Sequence, residues 1–345
     1  MTVGIFEFLQ SLTLKTLWGY LVALLYHPLG HLIISVVVIM AFLGANAMVL
    51  LYAERRVAGF IQRRPGPYEV GPQGLLQPLV DGGKLAAKQL ITPVGADPIL
   101  FWLAPVVSFA PVVICFFPLP FSPMLTGLDV NLGLLLILAF SGLNTLALCL
   151  AGWGSNNKYG LIGAARAVAQ SVAYEIPLLL AVLSVAFQVG SLDLSTIAEG
   201  QTKGLLSWNV FVQPLAFLIF FISAVAETNR APFDLPEAES ELTAGFHTEY
   251  SGMGFGTFFL AEYSYMVVVC AVATALFLGG WNGPILPGPW WFLGKVFVLV
   301  FVLMWFRWTF PRVRFDQLLN VCWKWLIPLG LFNLAVTALI VKLVG

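Results

Sequence analysis

Residues 29–53 read LGHLIISVVVIMAFLGANAMVLLYA and contain no Asp, Glu, Lys or Arg. About 20 consecutive apolar residues are enough for an α-helix to cross the hydrocarbon core of a bilayer. The stretch therefore predicts a transmembrane helix. Seven further apolar stretches, each with at most one internal charge, follow at residues 98–120, 130–152, 167–188, 205–226, 258–279, 290–306 and 325–341.

The composition also indicates a membrane protein. Apolar residues make up 59% of the 345 residues and charged residues only 10%, whereas a soluble domain carries roughly 25% charged residues. The net charge of zero excludes the basic excess of a nucleic-acid-binding protein. Because the apolar runs are continuous rather than alternating, the spans are helices and not barrel strands. We predict an all-α, polytopic integral membrane protein with about eight transmembrane helices and a single membrane domain over residues 1–345.

The charges predict the orientation of the spans. The loops after the odd-numbered spans hold most of the 17 Lys and Arg residues, so the positive-inside rule places those loops in the cytoplasm. Both termini are then predicted on the non-cytoplasmic side, with two long cytoplasmic loops at residues 54–97 and 227–257. The apolar stretch within residues 1–28 is too short for another span, so these residues are predicted to form an interfacial segment. The start, MTVGIFEFLQ, lacks the basic region and cleavage site of a signal peptide.

Two carboxylates, Glu175 and Glu262, interrupt predicted spans. A charge at mid-helix costs roughly 2.5–3.5 kcal/mol on insertion scales, so each needs an explanation. Glu262 is as consistent with a position near the interface as with a function, whereas Glu175 lies deeper and suits proton relay. Arg166 and Gln170 share one helix face. Arg166 is either an ordinary cytoplasmic cation or the partner of a carboxylate from another helix.

Residues 226–250, AETNRAPFDLPEAESELTAGFHTEY, hold six acidic residues and one cation, Arg230. A charge run is usually a solvated loop, but aromatic and leucine side chains are interleaved with these charges. Closely packed carboxylates do not all ionise, so the segment is a proton store, a cation site or a docking surface for basic partner subunits.

Four arginines lie close together in residues 52–67, YAERRVAGFIQRRPGP. They are suited to anionic lipid headgroups or to the acidic surface of a partner. Farther along, residues 75–90 are weakly amphipathic, and Asp81 and Lys84 are spaced for a local ion pair.

The chain shows no visible means of redox chemistry or ATP use. It contains no Walker A motif, no glycine fingerprint of a dinucleotide site and no C-x-x-C pair, so a metal or iron–sulfur site on this chain is not predicted. The three histidines are not spaced as ligands of a haem held between packed spans.

Five blocks carry a resemblance to a known family. They are YAERRVAGFIQRRPGP, GPQGLLQPLVDGGKL, GLIGAARAVAQSVAYE, AETNRAPFDLPEAESELTAGFHTEY and PRVRFDQL. In this order they closely resemble the H subunit of bacterial respiratory complex I, the counterpart of mitochondrial NADH dehydrogenase subunit 1. The resemblance extends from about residue 53 to residue 326.

The resemblance implies a membrane subunit of proton-translocating NADH:quinone oxidoreductase that binds no cofactor itself. Such a subunit forms much of the chamber in which ubiquinone or menaquinone is reduced, and it couples that reduction to proton translocation. NADH, FMN and the iron–sulfur clusters are bound by partner subunits of the hydrophilic arm. Further implied partners are the adjacent small membrane subunits and lipids. The implied location is the bacterial plasma membrane rather than the mitochondrial inner membrane.

The resemblance also implies roles for individual residues. It places the quinone chamber and the junction with the hydrophilic arm at Glu54, Arg55, Arg64, Asp81 and Lys84, and makes Arg230 the counter-ion of the acidic loop. It places the proton path and the coupling loop at Arg166, Glu175, Glu227, Asp234, Glu237, Glu239, Glu241, Glu249 and Glu262. Gln89 departs from the family pattern, because many relatives have a carboxylate there.

Two other classes of function are compatible with intramembrane acids. An ion or solute transporter that uses Glu175 and Glu262 predicts transport by the isolated chain in liposomes. A purely structural anchor predicts that neutralising Glu227 and Glu262 is tolerated once a complex assembles. The block match favours the complex I interpretation over both.

Overall fold

The computed structural model describes residues 28–123, 125–128, 130–202, 204–236, 239–283 and 288–344. The contacts divide the chain into two units, residues 1–45 and 46–345. In the first unit, the described residues 28–45 are helical. The predicted interfacial segment, residues 1–28, lies outside the described residues except for its last one. All side-chain interactions discussed below belong to the second unit.

The described residues are mainly helical, as predicted. The helices are α1 (Pro28–Ile61), α2 (Gln77–Ala87), α3 (Pro98–Cys115), α4 (Gly133–Gly154), α5 (Lys158–Val189), α6 (Leu194–Glu199), α7 (Asn209–Val212), α8 (Pro214–Glu227), α9 (Glu239–Leu242), α10 (Gly252–Phe277), α11 (Pro289–Thr309), α12 (Phe315–Val321) and α13 (Ile327–Val344). Three short 3₁₀ turns occupy Pro72–Gly74, Leu205–Ser207 and Gly245–His247. Strands β1 (Pro120–Ser122) and β2 (Leu125–Thr126) form an antiparallel pair.

Seven helices among the described residues are long and apolar enough to cross a membrane. They are α1, α3, α4, α5, α10, α11 and the continuous run from α12 to α13, and α8 is a shorter apolar helix. This confirms the predicted all-α polytopic class. The run from α12 to α13 remains helical because Cys322–Leu326 forms a π-helical turn between them.

The predicted fifth span, residues 205–226, is not one helix. The chain forms the Leu205–Ser207 turn, the four residues of α7 and then the 14 residues of α8. The break falls at Gln213, whose φ of −130° and ψ of 63° are not helical, directly before Pro214. Proline has no N–H to donate and restricts the residue before it. Helix α8 is therefore about 21 Å long, less than the roughly 30 Å of a bilayer core.

Several other boundaries differ from the sequence prediction because helices continue into charged sequence. Helix α1 runs on to Ile61, so Glu54 and Arg55 lie on its last turns rather than in a loop. Helix α5 starts at Lys158, which places Arg166 inside the helix. The uncharged part of a helix is the part that can face lipid. The helix continues beyond that part where its charged residues have partners in the protein.

Helix α10 is the most deeply buried long helix, with 83% of its most apolar stretch inside the protein. It packs against α2, α3 and α11. Next to its start, Tyr250 stacks on Phe101 of α3 with ring centroids 4.1 Å apart and donates a hydrogen bond to the Phe101 carbonyl at 3.0 Å. A helix that is apolar on all sides is buried, either in a protein interior such as this one or in a membrane.

Residues 228–251, which lie between α8 and α10 and are called the acidic segment below, fold against α5. Gln170 of α5 is fully buried, and its Nε2 lies within hydrogen-bond distance of the carbonyl oxygens of Ala226 (2.7 Å) and Phe233 (2.9 Å). Gly163 of α5 permits this approach, because a Cβ there would lie 2.9 Å from both Gly245 Cα and Pro236 O. Helix α5 therefore determines where the acidic segment lies.

Candidate functional site

Glu54 is the centre of a buried ionic cluster. It lies near the end of α1 and is 5% exposed. Its carboxylate accepts hydrogen bonds from Arg230 Nη1 at 2.8 Å, from the Tyr263 hydroxyl at 2.8 Å and from Arg307 Nη1. Residues from three other parts of the chain thus converge on this carboxylate.

Arg230 connects this carboxylate to a second one. Its Nε lies 2.5 Å from Glu262 Oε1, and its guanidinium carbon lies 4.4 Å from the centre of the Tyr263 ring. Arg230 is 3% exposed. Burial by itself would lower the pKa of Arg230, but Glu262 and Glu54 hold that pKa well above its usual range. The guanidinium therefore stays charged, and two arginines balance two acidic residues within the cluster.

The predicted role of Arg230 as counter-ion of the acidic loop differs from the structure. Its ion-pair partners, Glu54 and Glu262, come from α1 and α10. Within the acidic segment, Asp234 pairs with Arg312 Nη2 at 3.2 Å, and Arg230 acts on Asp234 only as a more distant charge. Arg230 lies just after α8 and is buried, whereas Glu241 of the segment is exposed.

The acidic residues of the segment are not all in one environment. Glu241 is exposed and pairs with Arg166 at 2.6 Å, and this hydrogen bond and charge hold the pKa of Glu241 below its usual value. Burial raises the pKa of Asp234 above its usual value, although Arg312 and Arg307 oppose the shift. Glu249 accepts a hydrogen bond from Asn157 Nδ2 at 2.6 Å. Glu237 and the side chain of Glu239 lie outside the described part of the chain.

Arg166 thus has the second of its two predicted roles. It pairs with Glu241 of α9, 75 residues away in the sequence. Together with Gln170 on the same helix face, it attaches the acidic segment to α5 at two points. Arg166 and Gln170, four residues apart, therefore form one face of α5 that binds the acidic segment.

Glu227 lies at the end of α8 in a second group of polar side chains. It is buried, and the Tyr265 hydroxyl donates a hydrogen bond to its Oε1 at 2.5 Å. Glu175 lies near the adjacent part of α4, because a Cβ at Gly142 would be 3.7 Å from Glu175 Oε1. Ser141, the preceding residue of α4, lines a small cavity together with Glu227. The two acids therefore flank one short stretch of α4.

A small cavity with several polar side chains in its lining lies beside Glu262. Its volume is about 30 Å³, and its polar lining includes Ser108, Asn144, Asn229 and His247. The rest of its wall is formed largely by phenylalanines of the acidic segment and α10. Burial lowers the pKa of His247 to about 4, so this imidazole is neutral near pH 7.

Residues at the end of α1 and on α2 form a separate, more exposed group. Arg55 donates a hydrogen bond to Asp81 of α2 at 2.5 Å, and Gln77 donates to the same carboxylate at 2.9 Å. Burial tends to raise the pKa of Asp81, but these two hydrogen bonds lower it overall. The predicted Asp81–Lys84 pair is confirmed, at 3.9 Å. Arg64 bonds only locally among its described contacts, to Gln62 Oε1 at 2.5 Å.

Sequence reasoning missed Tyr263, Tyr265 and Arg307. The tyrosines follow Glu262 closely within an apolar helix, where a phenol needs a hydrogen-bond partner. That signal is present in the sequence. Arg307 resembles an ordinary cation at the end of a span, and nothing in the sequence connects it with Glu54. Among the described residues, no group of three or more His, Cys, Asp or Glu is arranged to hold a metal ion.

A family model described as NADH dehydrogenase matches residues 33–338. The chain belongs to the NADH dehydrogenase family. The match includes every residue of the ionic cluster and of the Glu227 group. This family assignment also confirms the resemblance found in the five sequence blocks.

Individual relatives in the NADH dehydrogenase family are similar over nearly the whole chain. A protein of Desulfotalea psychrophila, named as the H subunit of NADH-quinone oxidoreductase, is 50% identical over 323 residues, which cover 90% of this chain and 97% of the relative. Proteins of the same name from a Geobacillus species and from Dehalococcoides mccartyi are 51% and 46% identical. They are matched over 85% and 89% of this chain and over 89% and 86% of their own lengths.

Proposed function

We propose that this chain is the membrane subunit of a proton-translocating NADH:quinone oxidoreductase that joins the membrane arm to the hydrophilic arm, the H subunit in the naming of its relatives. The names of those relatives and their near-complete coverage support this assignment. NADH, FMN and the iron–sulfur clusters belong to partner subunits, quinone is the substrate at the junction, and the bacterial plasma membrane is the location.

The observation that carries the proposal is the arrangement of the buried charges. Arg230 joins Glu54 of α1 to Glu262 of α10. Farther along α10, Tyr265 donates a hydrogen bond to Glu227. Glu175 lies close to Gly142 of α4, next to Ser141, which lines a cavity with Glu227. Buried, protonatable groups that follow one another through a helical core are typical of proton pathways and are costly to maintain for stability alone.

The end of this arrangement that lies at α2 and the end of α1 suits a quinone. A quinone has a polar head and a long apolar tail, so it requires an apolar crevice that ends at polar groups. Asp81 of α2 pairs with Arg55 of α1, and three exposed leucines lie at or just before the start of α2, Leu75, Leu76 and Leu79. In this proposal, α2 and the end of α1 form the mouth of the chamber and contact the hydrophilic arm.

Coupling follows from charge. Reduction of a quinone to a quinol takes up two electrons and two protons, so the chamber gains negative charge until protons arrive. That charge acts on the acidic segment, whose exposed Arg166–Glu241 pair and half-buried Arg312–Asp234 pair are the contacts most readily rearranged. Rearrangement of the segment changes the surroundings of Arg230 and Glu262 and thereby the proton occupancy of the path.

The experiment is affinity purification of the tagged chain from gently solubilised membranes. The proposal predicts co-purification of flavin and iron–sulfur signals, and NADH:quinone oxidoreduction blocked by rotenone- or piericidin-type inhibitors. The matched sample is the same preparation from cells with an untagged chain. Recovery of the chain alone, without redox centres, under conditions that keep other respiratory complexes intact would refute the proposal and favour a transporter.

A further inference from the structure

Two small cavities of the second unit share one tyrosine of α10. The first cavity, of about 30 Å³, includes Glu262 and Asn144 in its lining. The second, of about 20 Å³, includes Glu227 and Ser141. Tyr265 borders both cavities. It is 3% exposed, so it belongs wholly to the interior.

The first cavity is large enough for water and has polar partners for it. About 10–15 Å³ suffices for one water molecule when polar partners are present, so this cavity has room for about two. In the first cavity the partners are Ser108, Asn144, Asn229 and the carboxylate of Glu262. The second cavity has apolar walls, although Ser141 and Glu227 belong to its lining, so it offers no comparable place for water. The Glu262 side of Tyr265 is thus the side that can hold water.

The Tyr265 hydroxyl is the polar group of the side chain that the two cavities share. It donates its hydrogen bond to Glu227 Oε1 at 2.5 Å. Tyr265 and Glu262 are three residues apart on α10 and therefore lie on one face of that helix. The aromatic ring is apolar, so the hydroxyl is the part of this side chain that can carry a proton between the two acids.

We propose that Tyr265 relays protons from the Glu262 cavity to Glu227, a role that rests on the proposed function. In the relay step, the phenolic O–H bond breaks as its proton passes to the Glu227 carboxylate. A new O–H bond forms to the phenolic oxygen from a water of the Glu262 cavity, and that water is reprotonated from Glu262, which holds a proton at this stage instead of forming its ion pair with Arg230. The phenol is unchanged overall, Glu262 has lost one proton and Glu227 has gained one.

The first test is Tyr265→Phe, which removes the hydroxyl and keeps the ring. The matched control is Tyr250→Phe, because Tyr250 is also buried and also loses one hydrogen bond, to the Phe101 carbonyl, but it borders neither cavity. Intact complex in proteoliposomes is assayed for NADH:ferricyanide activity as a measure of assembly, for NADH:quinone activity and for proton uptake. We expect Tyr265→Phe to lower coupled quinone reduction and proton uptake at least tenfold. A positioned proton-transfer group typically contributes a factor of about 10²–10⁴ to the rate, so this is the low end of the expected effect.

The variant Tyr265→Ser distinguishes a proton-relay role of Tyr265 from a packing role. Serine restores a hydroxyl and leaves space for a bridging water, so a relay predicts that Tyr265→Ser pumps faster than Tyr265→Phe. A packing role predicts the reverse order, because serine leaves the larger void. If the serine variant does not assemble, the phenylalanine variant decides by itself.

Infrared spectroscopy gives a measurement that does not depend on activity. In mildly acidic buffer, the carboxylic C=O band that disappears in Glu227→Gln reports protonated Glu227, and its shift after transfer to D₂O measures how fast protons reach it. We expect this exchange to be at least about tenfold slower in Tyr265→Phe than in wild type or Tyr250→Phe.

The outcomes distinguish the two proposals. Wild-type exchange and wild-type pumping in Tyr265→Phe would overturn the relay and leave the proposed function standing. A displaced band with unchanged exchange would show that Tyr265 is only a hydrogen-bond partner, which also overturns the relay. A wild-type preparation without flavin and quinone reductase activity would overturn the proposed function, and the exchange rate would still decide whether Tyr265 passes protons.

Discussion

Arg230 and Glu54 are 176 residues apart in the sequence, and Arg230 Nη1 lies 2.8 Å from Glu54 Oε2 with both side chains buried. The same guanidinium also contacts Glu262. A buried pair of this kind is weak evidence for stability, since desolvation offsets much of the Coulomb attraction. Its position is more informative. It joins the helix that leads to the proposed quinone mouth to the helix that holds the proposed proton path.

Arg230→Met should disrupt assembly more than any single neutralisation of its partners. The change leaves Glu262 buried without its closest cation, and breaking a buried pair from one side typically costs about 3–5 kcal/mol. The measurement is the yield and thermal midpoint of the purified complex. The double variant Arg230→Met, Glu262→Gln removes one charge of each sign and should recover much of the loss. Equal defects in the single and double variants would contradict a charge-balanced cluster.

Glu241→Gln should lower coupled quinone reduction while the complex still assembles. Glu241 is exposed, so its loss leaves no buried charge, but its bond to Arg166 attaches the acidic segment to α5. The measurement is NADH:quinone activity relative to NADH:ferricyanide activity. Asp316→Asn is the control, because Asp316 also forms an exposed pair with an arginine, at 3.4 Å, but lies outside the acidic segment. Wild-type turnover in Glu241→Gln would contradict the role of this contact in coupling.

His247 should make the protein less stable in acid. Burial depresses the pKa of folded His247 to about 4, from an ordinary value of 6.5. Between these values the unfolded chain binds a proton that the folded chain does not. The contribution of His247 is therefore fully present above pH 6.5, is lost as the pH falls towards 4 and amounts to about 3 kcal/mol.

The measurement for His247 is the thermal midpoint as a function of pH, in wild type and in His247→Phe. Phenylalanine suits the surroundings of this ring, which packs against Phe246 and Phe255. The variant should lose less stability than wild type between pH 6.5 and pH 4. Parallel curves for the two proteins would show that His247 does not titrate as expected.

Asp81→Asn should raise the KM for quinone with little effect on stability. Asp81 holds Arg55 at 2.5 Å, but the pair is partly exposed, and such pairs contribute at most about 1 kcal/mol. If α2 borders the mouth of the chamber, release of Arg55 changes access for the quinone and leaves the flavin reaction unaltered. Lys158→Gln, on an exposed residue at the start of α5, is the control. An unchanged KM for both short-tailed and long-tailed quinones would argue against a mouth at α2.

Gly163→Val should displace the acidic segment from α5. A Cβ at this position would lie 2.9 Å from Gly245 Cα and from Pro236 O, and both are backbone atoms that a rotamer change cannot move. Overpacking typically costs about 1–3 kcal/mol. The measurement is protease sensitivity of residues 228–251 together with quinone reductase activity. Gly294→Ala on α11 is the control, because nothing lies within 4 Å of a Cβ there. Unchanged proteolysis in Gly163→Val would show that the segment does not depend on this contact.

Part of this fold is predictable from local sequence. Runs such as residues 29–53 specify transmembrane helices because the bilayer requires apolar side chains and satisfied backbone hydrogen bonds. The prediction of the fifth span is wrong because apolar composition does not reveal the break before Pro214, although the proline is visible. The predicted ends of α1 and α5 fall short of the observed ones, because charged residues continue a helix when tertiary partners receive them.

The all-α class, the approximate spans, the family and the identity of most charged residues of the candidate site follow from the order of amino acids alone. They depend on local apolar pattern and on motifs that are contiguous in the chain. The pairing of Arg230 with Glu54 and Glu262, of Glu241 with Arg166 and of Tyr265 with Glu227 emerges only from the packed helices. The physical reason is that an ion pair or hydrogen bond acts over about 3 Å between atoms, and which atoms come that close depends on how the helices pack rather than on their order in the chain.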